Sequence, residues 1–146
     1  MQHGSQIAEL RPDELPKILE LMQQSGLTKE GLDDAELFVA RDEEKRIIGS
    51  AGLEMWGKRQ GLLRSLVVTK ELRGKGIGSS LVLYVLETAR RRGLEEVFLL
   101  TTDVPEYYLK FGFKILDRKR VEGEVLNSAE FRGACLDTAV VMKIKI

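Results

Sequence analysis

The chain has little of the chemistry that most catalytic centres are built from. Its 146 residues include one cysteine, Cys135, and one histidine, His3. A single cysteine excludes an internal disulfide and every multi-cysteine metal site. A single histidine, near the N-terminus, leaves a Ser–His–Asp triad, a Cys–His pair or a two-histidine metal centre only that one residue to be built on. No charge sign is in excess: Lys plus Arg and Asp plus Glu number 23 each, so no overall basic field draws nucleic acid to the chain. No run approaches the ~18 apolar residues of a membrane span, and the polar opening MQHGSQIAEL is not that of a signal peptide. With 43% hydrophobic and 32% charged residues, the composition is globular. The length fits one domain over residues 1–146, able to bury about 70% of its unfolded surface.

Residues 6–10 are expected to form a short strand. Asp13 reads as the N-cap of a helix with Pro16 in its first turn, where a missing N–H does little harm. Leu15, Ile18, Leu19 and Met22 then follow the spacing of one buried helical face, and Gly26 is placed to stop it in a left-handed conformation. Residues 27–36 are polar and fit a loop with a helical turn. Three extended segments, 37–41, 47–56 and 62–69, are joined by charged and glycine-containing turns, the pattern of an antiparallel meander. The last carries Arg64 and Ser65 inside an otherwise apolar run.

A long helix to about residue 92 follows, with Ile77, Leu81, Val85 and Ala89 on one side. Val82, Leu83 and Leu86 widen its apolar surface enough to predict cover on more than one side. Arg90, Arg91 and Arg92 read as basic residues favoured by the negative helix end, with Gly93 as cap, in preference to a phosphate patch. A strand at 97–101 makes a parallel, right-handed strand–helix–strand unit. A short helix after Pro105 carries Tyr107, Tyr108 and Phe111, Gly112 ends it, and a strand starts at Phe113. Residues 121–138 have no readable period, and 139–146 alternate as a final strand.

The informative motif joins the third extended segment to the long helix: Arg73-Gly74-Lys75-Gly76-Ile77-Gly78-Ser79. Its glycines let the backbone turn tightly and approach a ligand, and the helix's first N–H groups and dipole favour an anion there. Arg73 and Lys75 add full charges, which suits a diphosphate. The alternative is a glycine-rich turn with solvated charges. The triphosphate loop GxxxxGK[ST] is absent because Gly76 follows Lys75. The dinucleotide pattern GxGxxG fails because Ser79 or Leu81 stands where its last glycine belongs.

What fits is Arg-x-x-Gly-x-Gly from Arg73 through Gly76 to Gly78. Here the sequence resembles the GNAT superfamily of acetyl-CoA-dependent N-acetyltransferases. Tyr108-Leu109-Lys110-Phe111-Gly112-Phe113 looks like that family's Tyr-x-x-x-Gly-Phe, and the order of elements is similar from about residue 5 to 118. More narrowly, Gly52-Leu53-Glu54, Leu63-Arg64-Ser65 and a tail running from Glu130-Phe131-Arg132 through Cys135 to Met142 resemble a small branch encoded with arsenic-resistance genes, which has no secure substrate.

The resemblance implies an α/β (α+β mixed) domain: a central mixed, mostly antiparallel sheet with helices on both faces. It implies acetyl-CoA as cosubstrate, no metal, and transfer of the acetyl group to the primary amine of a small metabolite by direct attack in a ternary complex. Main-chain N–H groups at Leu66, Val67 or Val68 would polarise the thioester carbonyl, and Arg73, Gly74, Lys75, Gly76, Ile77, Gly78 and Ser79 would hold the pyrophosphate. Tyr108 matches the acid that protonates the departing thiolate; otherwise it is an aromatic packed at a helix end, with Tyr107 as the core member of the pair.

No family motif names the base. Glu54 is the candidate, in a strand between apolar Leu53 and Met55; its alternative is a surface carboxylate. Arg64 would clamp a substrate carboxylate, favouring an amino-acid-like acceptor, or would pair with Glu54 as a structural salt bridge. Arg132 would reach the substrate or cap local structure, and the acidic residues Asp33, Asp34 and Glu36 would attract a cationic amine or be solvated. Cys135 reads as a buried small residue, unsuited to covalent catalysis without a histidine to activate it. A different class of function is a non-catalytic coenzyme A sensor or interaction module on the same fold. No nucleic-acid or membrane partner is expected; a homodimer and a cytoplasmic location are.

Overall fold

The computed structural model describes residues 6–135 and 137–146, so His3 lies outside the described residues. Each extended segment finds a hydrogen-bonded neighbour in one seven-stranded sheet, ordered β1-β2-β3-β4-β5-β7-β6. The strands are β1 (Gln6–Glu9), β2 (Ala35–Arg41), β3 (Ile47–Trp56), β4 (Gln60–Val68), β5 (Glu96–Thr101), β6 (Lys114–Leu116) and β7 (Val140–Lys145). All pairings are antiparallel except β4 with β5, the parallel unit expected from the sequence. β3 is buried from Ile48 through Glu54 without alternation, as a strand must be when both faces of its sheet are covered.

The helices are α1 (Leu15–Gln24), α2 (Ile77–Arg91) and α3 (Pro105–Leu109). On one face, Leu81, Val85 and Ala89 of α2 pack with Phe38, Leu53, Leu63, Val97 and Leu99 of the sheet. On the other, Ile18 and Met22 of α1 pack with Val39. The rest of that face is covered by turns instead of a helix, where Val121 and Val125 meet Leu62, Phe98 and Val141. α2 lies along β2, β3 and β4, and Leu83, expected within its apolar surface, is 56% exposed. One broad contact with the sheet buries the rest.

Asp13 is not the helix cap. A 3₁₀ turn, Pro12–Glu14, runs into α1 and leaves Glu14 as the residue before it. The Glu14 carboxylate instead accepts two hydrogen bonds from Arg41, at 2.7 and 2.6 Å. Gly26 and Gly93 do end their helices in the left-handed region, at φ +71° and +82°. Arg90 pairs with Glu87 and Arg92 with Glu36, so this cluster serves the helix end. The 121–138 segment has no period because tertiary bonds order it: Gln60 donates to the Glu122 carbonyl and accepts from Val125 N–H.

The β4 register contains the decisive irregularity. Ser50 faces Val67 and Gly52 faces Arg64, so Ala51 stands opposite two residues, Ser65 and Leu66. Ser65 takes φ +60°, one of two non-glycine residues with positive φ among those described, and its carbonyl accepts the buried Ser50 hydroxyl at 2.8 Å. Such a bulge resets the alternation of the strand. Leu63 before it and Leu66 and Val68 after it thereby reach the same core.

Packing of α2 onto the sheet gives a direct stability test. Leu81→Ala, at a fully buried position, is expected to cost about 2–5 kcal/mol in urea denaturation. Leu83→Ala on the same helix should stay within about 0.5 kcal/mol.

Candidate active site

Three residues ahead of the Ser65 bulge, β4 and β5 part. Their pairing is confined to Gln60–Glu96, Gly61–Val97 and Leu62–Phe98, while β5 stays with β7 to Thr101. The edge of β4 that faces β5 is therefore without a strand partner from Leu63 onward, and its main-chain groups border a cleft of about 900 Å³. Leu66, Val67 and Val68 line this cleft together with Leu99 to Val104 opposite.

At one end of the cleft lies the glycine loop. Arg73, Gly74, Gly76, Gly78 and Ser79 border it, whereas Ile77 turns its side chain into the core at 1% exposure and Lys75 is exposed outside the cleft wall. Gly74 and Gly76 take φ +79° and +88°, a region that side chains strain to enter. Gly76 precedes α2 without any side-chain cap, so the first-turn N–H groups have no intrahelical acceptor. A Cβ at Gly78 would come within 3.0 Å of the Tyr107 hydroxyl, which shares a 3.1 Å hydrogen bond with Ser79. Arg73 donates to the Val68 carbonyl at 3.1 Å, tying the loop to the end of β4.

Both tyrosines of α3 line the cleft. Their rings stack edge to face at 5.2 Å, and Tyr108 also meets Phe113 at 6.0 Å. The two therefore do not divide into a core member and a cleft member; Tyr107 braces the glycine loop through Ser79. Burial pushes the Tyr108 phenol well above its ordinary pKa, with nearby Tyr107, Asp103 and Glu130 adding to it. Tyr108 is held protonated, as a hydrogen donor.

Next to these lies a buried charge cluster. Glu54 is fully buried, one oxygen 2.7 Å from Arg64 Nη1 and the other accepting the Trp56 indole N–H at 2.7 Å. It is absent from the cleft wall, which Arg64 and Glu130 do border. Arg64 also donates through Nη2 to the Thr28 carbonyl and through Nε to Ser65 Oγ. Each guanidinium nitrogen thus already has a protein acceptor. That geometry answers the two expectations for this pair: Glu54 is no surface carboxylate, and Arg64 is no open clamp. Arg132 is exposed away from the cleft.

Glu130 carried no signal as chemistry in the sequence, and Cys135, expected as a buried small residue, is half-buried at the cleft. Glu130 and Cys135 border the cleft from the turn Glu130–Ala134 and its end. Burial raises the Glu130 carboxyl from 4.5 to about 7, against the lowering effects of Arg64 and of a hydrogen bond with the Cys135 thiol. The Cys135 thiol is pushed up to about 12, by burial first and by Glu130 next, so it stays protonated. No period marks the segment that carries them.

A model of the acetyltransferase (GNAT) family matches residues 5–113. The chain belongs to this family. An uncharacterized N-acetyltransferase of Chlorobaculum tepidum is 28% identical over 109 residues, 73% of this chain and 69% of that protein. An amino-acid acetyltransferase of Mycobacterium tuberculosis is 29% identical over 82 residues, 56% of this chain but 47% of that protein. In fold, the chain matches N-acetylglutamate synthase of Neisseria gonorrhoeae, complexed with coenzyme A and N-acetyl-glutamate, with TM-score 0.82 and 18% identity over 97% of this chain and 35% of that one. A GNAT acetyltransferase of Elizabethkingia anophelis with acetyl-CoA bound matches at TM-score 0.73 and 18% identity, over 98% and 99% of the two chains. Among the described residues, no helix of this acetyltransferase is long and apolar enough to cross a membrane.

The raised Glu130 carboxyl makes the enzyme's stability depend on pH. Folded, it keeps a proton through a range where the unfolded chain, near 4.5, has lost it, so stability falls as pH rises towards about 7. Above that value the cost is complete. Glu130→Gln should therefore gain about 2–3 kcal/mol on the wild type between about pH 5 and about pH 8, read by urea denaturation at each.

Proposed function

We propose that this acetyltransferase moves an acetyl group from acetyl-CoA to the primary amine of a small metabolite. The observation that carries this reading is one cleft in which the unpartnered edge of β4 runs up to the uncapped N-terminus of α2. An extended amide-bearing arm ending in a diphosphate complements both parts. The glycine loop fits it: Gly74 and Gly76 leave open space where side chains would stand, and the helix start favours anions. Arg73 to Ser79 are the residues that would hold the pyrophosphate, with main-chain N–H groups at Leu66 to Val68 along the pantetheine arm.

Bound there, acetyl-CoA supplies the acyl donor as an activated thioester. The main chain near Val67 polarises its carbonyl, since a fixed N–H in a water-poor site stabilises charge developing on oxygen. Tyr108, held protonated, gives its proton to the departing sulfur. A thiol pKa near ~8.5 makes that proton helpful without being essential.

The amino-acid-like acceptor now rests on the curated relative that is an amino-acid acetyltransferase and on the fold match to N-acetylglutamate synthase, since Arg64 is engaged elsewhere. A glucosamine 6-phosphate N-acetyltransferase of Trypanosoma brucei brucei, 31% identical over 81 residues, covering 51% of this chain and 55% of that one, supports an amino sugar as the second class. The narrower resemblance to an arsenic-resistance branch adds no acceptor.

Calorimetry with coenzyme A, and thiol release from acetyl-CoA with L-glutamate, L-glutamine, glucosamine 6-phosphate and n-butylamine, test the reading. Binding with turnover on at least one amine is expected. Binding without turnover on any amine would favour the sensor. Tyr108→Phe should lower kcat by about 10–100-fold and leave coenzyme A affinity unchanged.

A further inference from the structure

The acetyl-transfer reading leaves one buried carboxylate without a task. Glu130 borders the cleft at 6% exposure, on a segment beyond the family match, which ends at residue 113. A buried charge is costly unless neutralised, and its cation is shared. Arg64 stands 2.7 Å from Glu54 and 3.5 Å from Glu130, and Glu54 is further fixed by Trp56. One positive charge serves two carboxylates, and the carboxylate facing the cleft is the one less neutralised. The remaining groups that face it are the Cys135 thiol, a protonated neighbour, and the Tyr108 phenol of α3, which feels its charge. Cys135 in turn lies within the field of Arg118.

We propose that Glu130 is the catalytic base that takes the proton from the acceptor ammonium, with Arg64 and Glu54 as positioning residues behind it; this rests on the acetyltransferase reading above. The ammonium gives one proton to a Glu130 oxygen and becomes a free amine. Its lone pair bonds to the acyl carbon, and the C–S bond breaks with its electron pair on sulfur. Sulfur takes the Tyr108 proton, and the second proton shed by nitrogen restores that phenol. Glu130 returns its proton to water, so the net products are the amide, the thiol and one proton. Glu54 is less suited, with both oxygens bonded and no place on the cleft wall. A carboxyl held near 7 is about half ionised at neutral pH, and its ionised form is basic enough to accept a proton.

Two measurements test this. In the free enzyme labelled with ¹³C at glutamate carboxyls, one resonance should titrate near pH 7 and be missing from Glu130→Gln. Titration of every glutamate in the ordinary range overturns the proposal. In the thiol-release assay, Glu130→Gln should lower kcat/KM at least about 100-fold for the fastest amine of the panel and abolish the acid limb of its pH profile. Its reaction with hydroxylamine, largely unprotonated at neutral pH, should stay within about threefold, with coenzyme A affinity unchanged. An acid limb that survives in Glu130→Gln, or an equal loss with hydroxylamine, overturns the assignment. Disappearance of the limb in Glu54→Gln instead would move the base to Glu54. If Glu130→Gln does not fold, Glu130→Asp should lose about tenfold with the limb retained, and wild-type rates would overturn the proposal. A wild type inert towards every amine and hydroxylamine would remove the acetyltransferase reading itself, a result distinct from a failed base.

Discussion

The parting of β4 from β5 is the constraint on which the rest depends. A parallel pair would ordinarily continue along both strands, satisfying every main-chain group between them. Here the pairing stops after three positions, at Leu62, and an extra residue at Ser65 then resets the strand. The parting leaves a row of donors and acceptors facing a cleft, and that row leads to the start of α2. Backbone strain at a non-glycine residue with φ +60° costs of order 1–3 kcal/mol. It is held in place by the Ser50 hydroxyl and by Arg64. The strained residue and the charge cluster are thus one local structure.

That cluster has a clear energetic logic. A wholly buried ion pair is weak evidence of net stabilisation, because desolvation offsets attraction, but removing one partner leaves a naked charge and costs about 3–5 kcal/mol. Arg64 therefore cannot easily leave Glu54, and its reach to Thr28 and Ser65 fixes it further. A guanidinium so committed screens a second carboxylate only partly. Glu130, 3.5 Å from Arg64, sets a second carboxylate between this ion pair and the cleft.

Much of the fold was legible. Strand and helix patterns, the stops at Gly26 and Gly93, and the β4–α2–β5 unit follow from periodicity and glycine placement. So did the glycine loop, because its turn takes positive φ at Gly74 and Gly76, a region that favours glycine. Of the charged pairs, Arg64 with Glu54 was legible as one of two alternatives, and the structure has it. Glu14 with Arg41 and Glu36 with Arg92 are separated by 27 and 56 residues, and no local pattern encodes such pairings. Residues 121–138 were opaque for the same reason, their turns being held by Gln60 of β4.

The sequence by itself determined the order of elements, the family resemblance and the glycine loop, each written in residues adjacent along the chain. Only the tertiary structure decided which carboxylate meets the cleft. The sequence marked Glu54, set in a strand between apolar neighbours, and not Glu130, set in a segment without a period. Yet β3 directs the first into the sheet's packed face against Trp56 and Arg64, while the turn after residue 128 brings the second to the cleft wall. Burial and shared charge arise from segments far apart in the chain, so they exist only once the chain has folded.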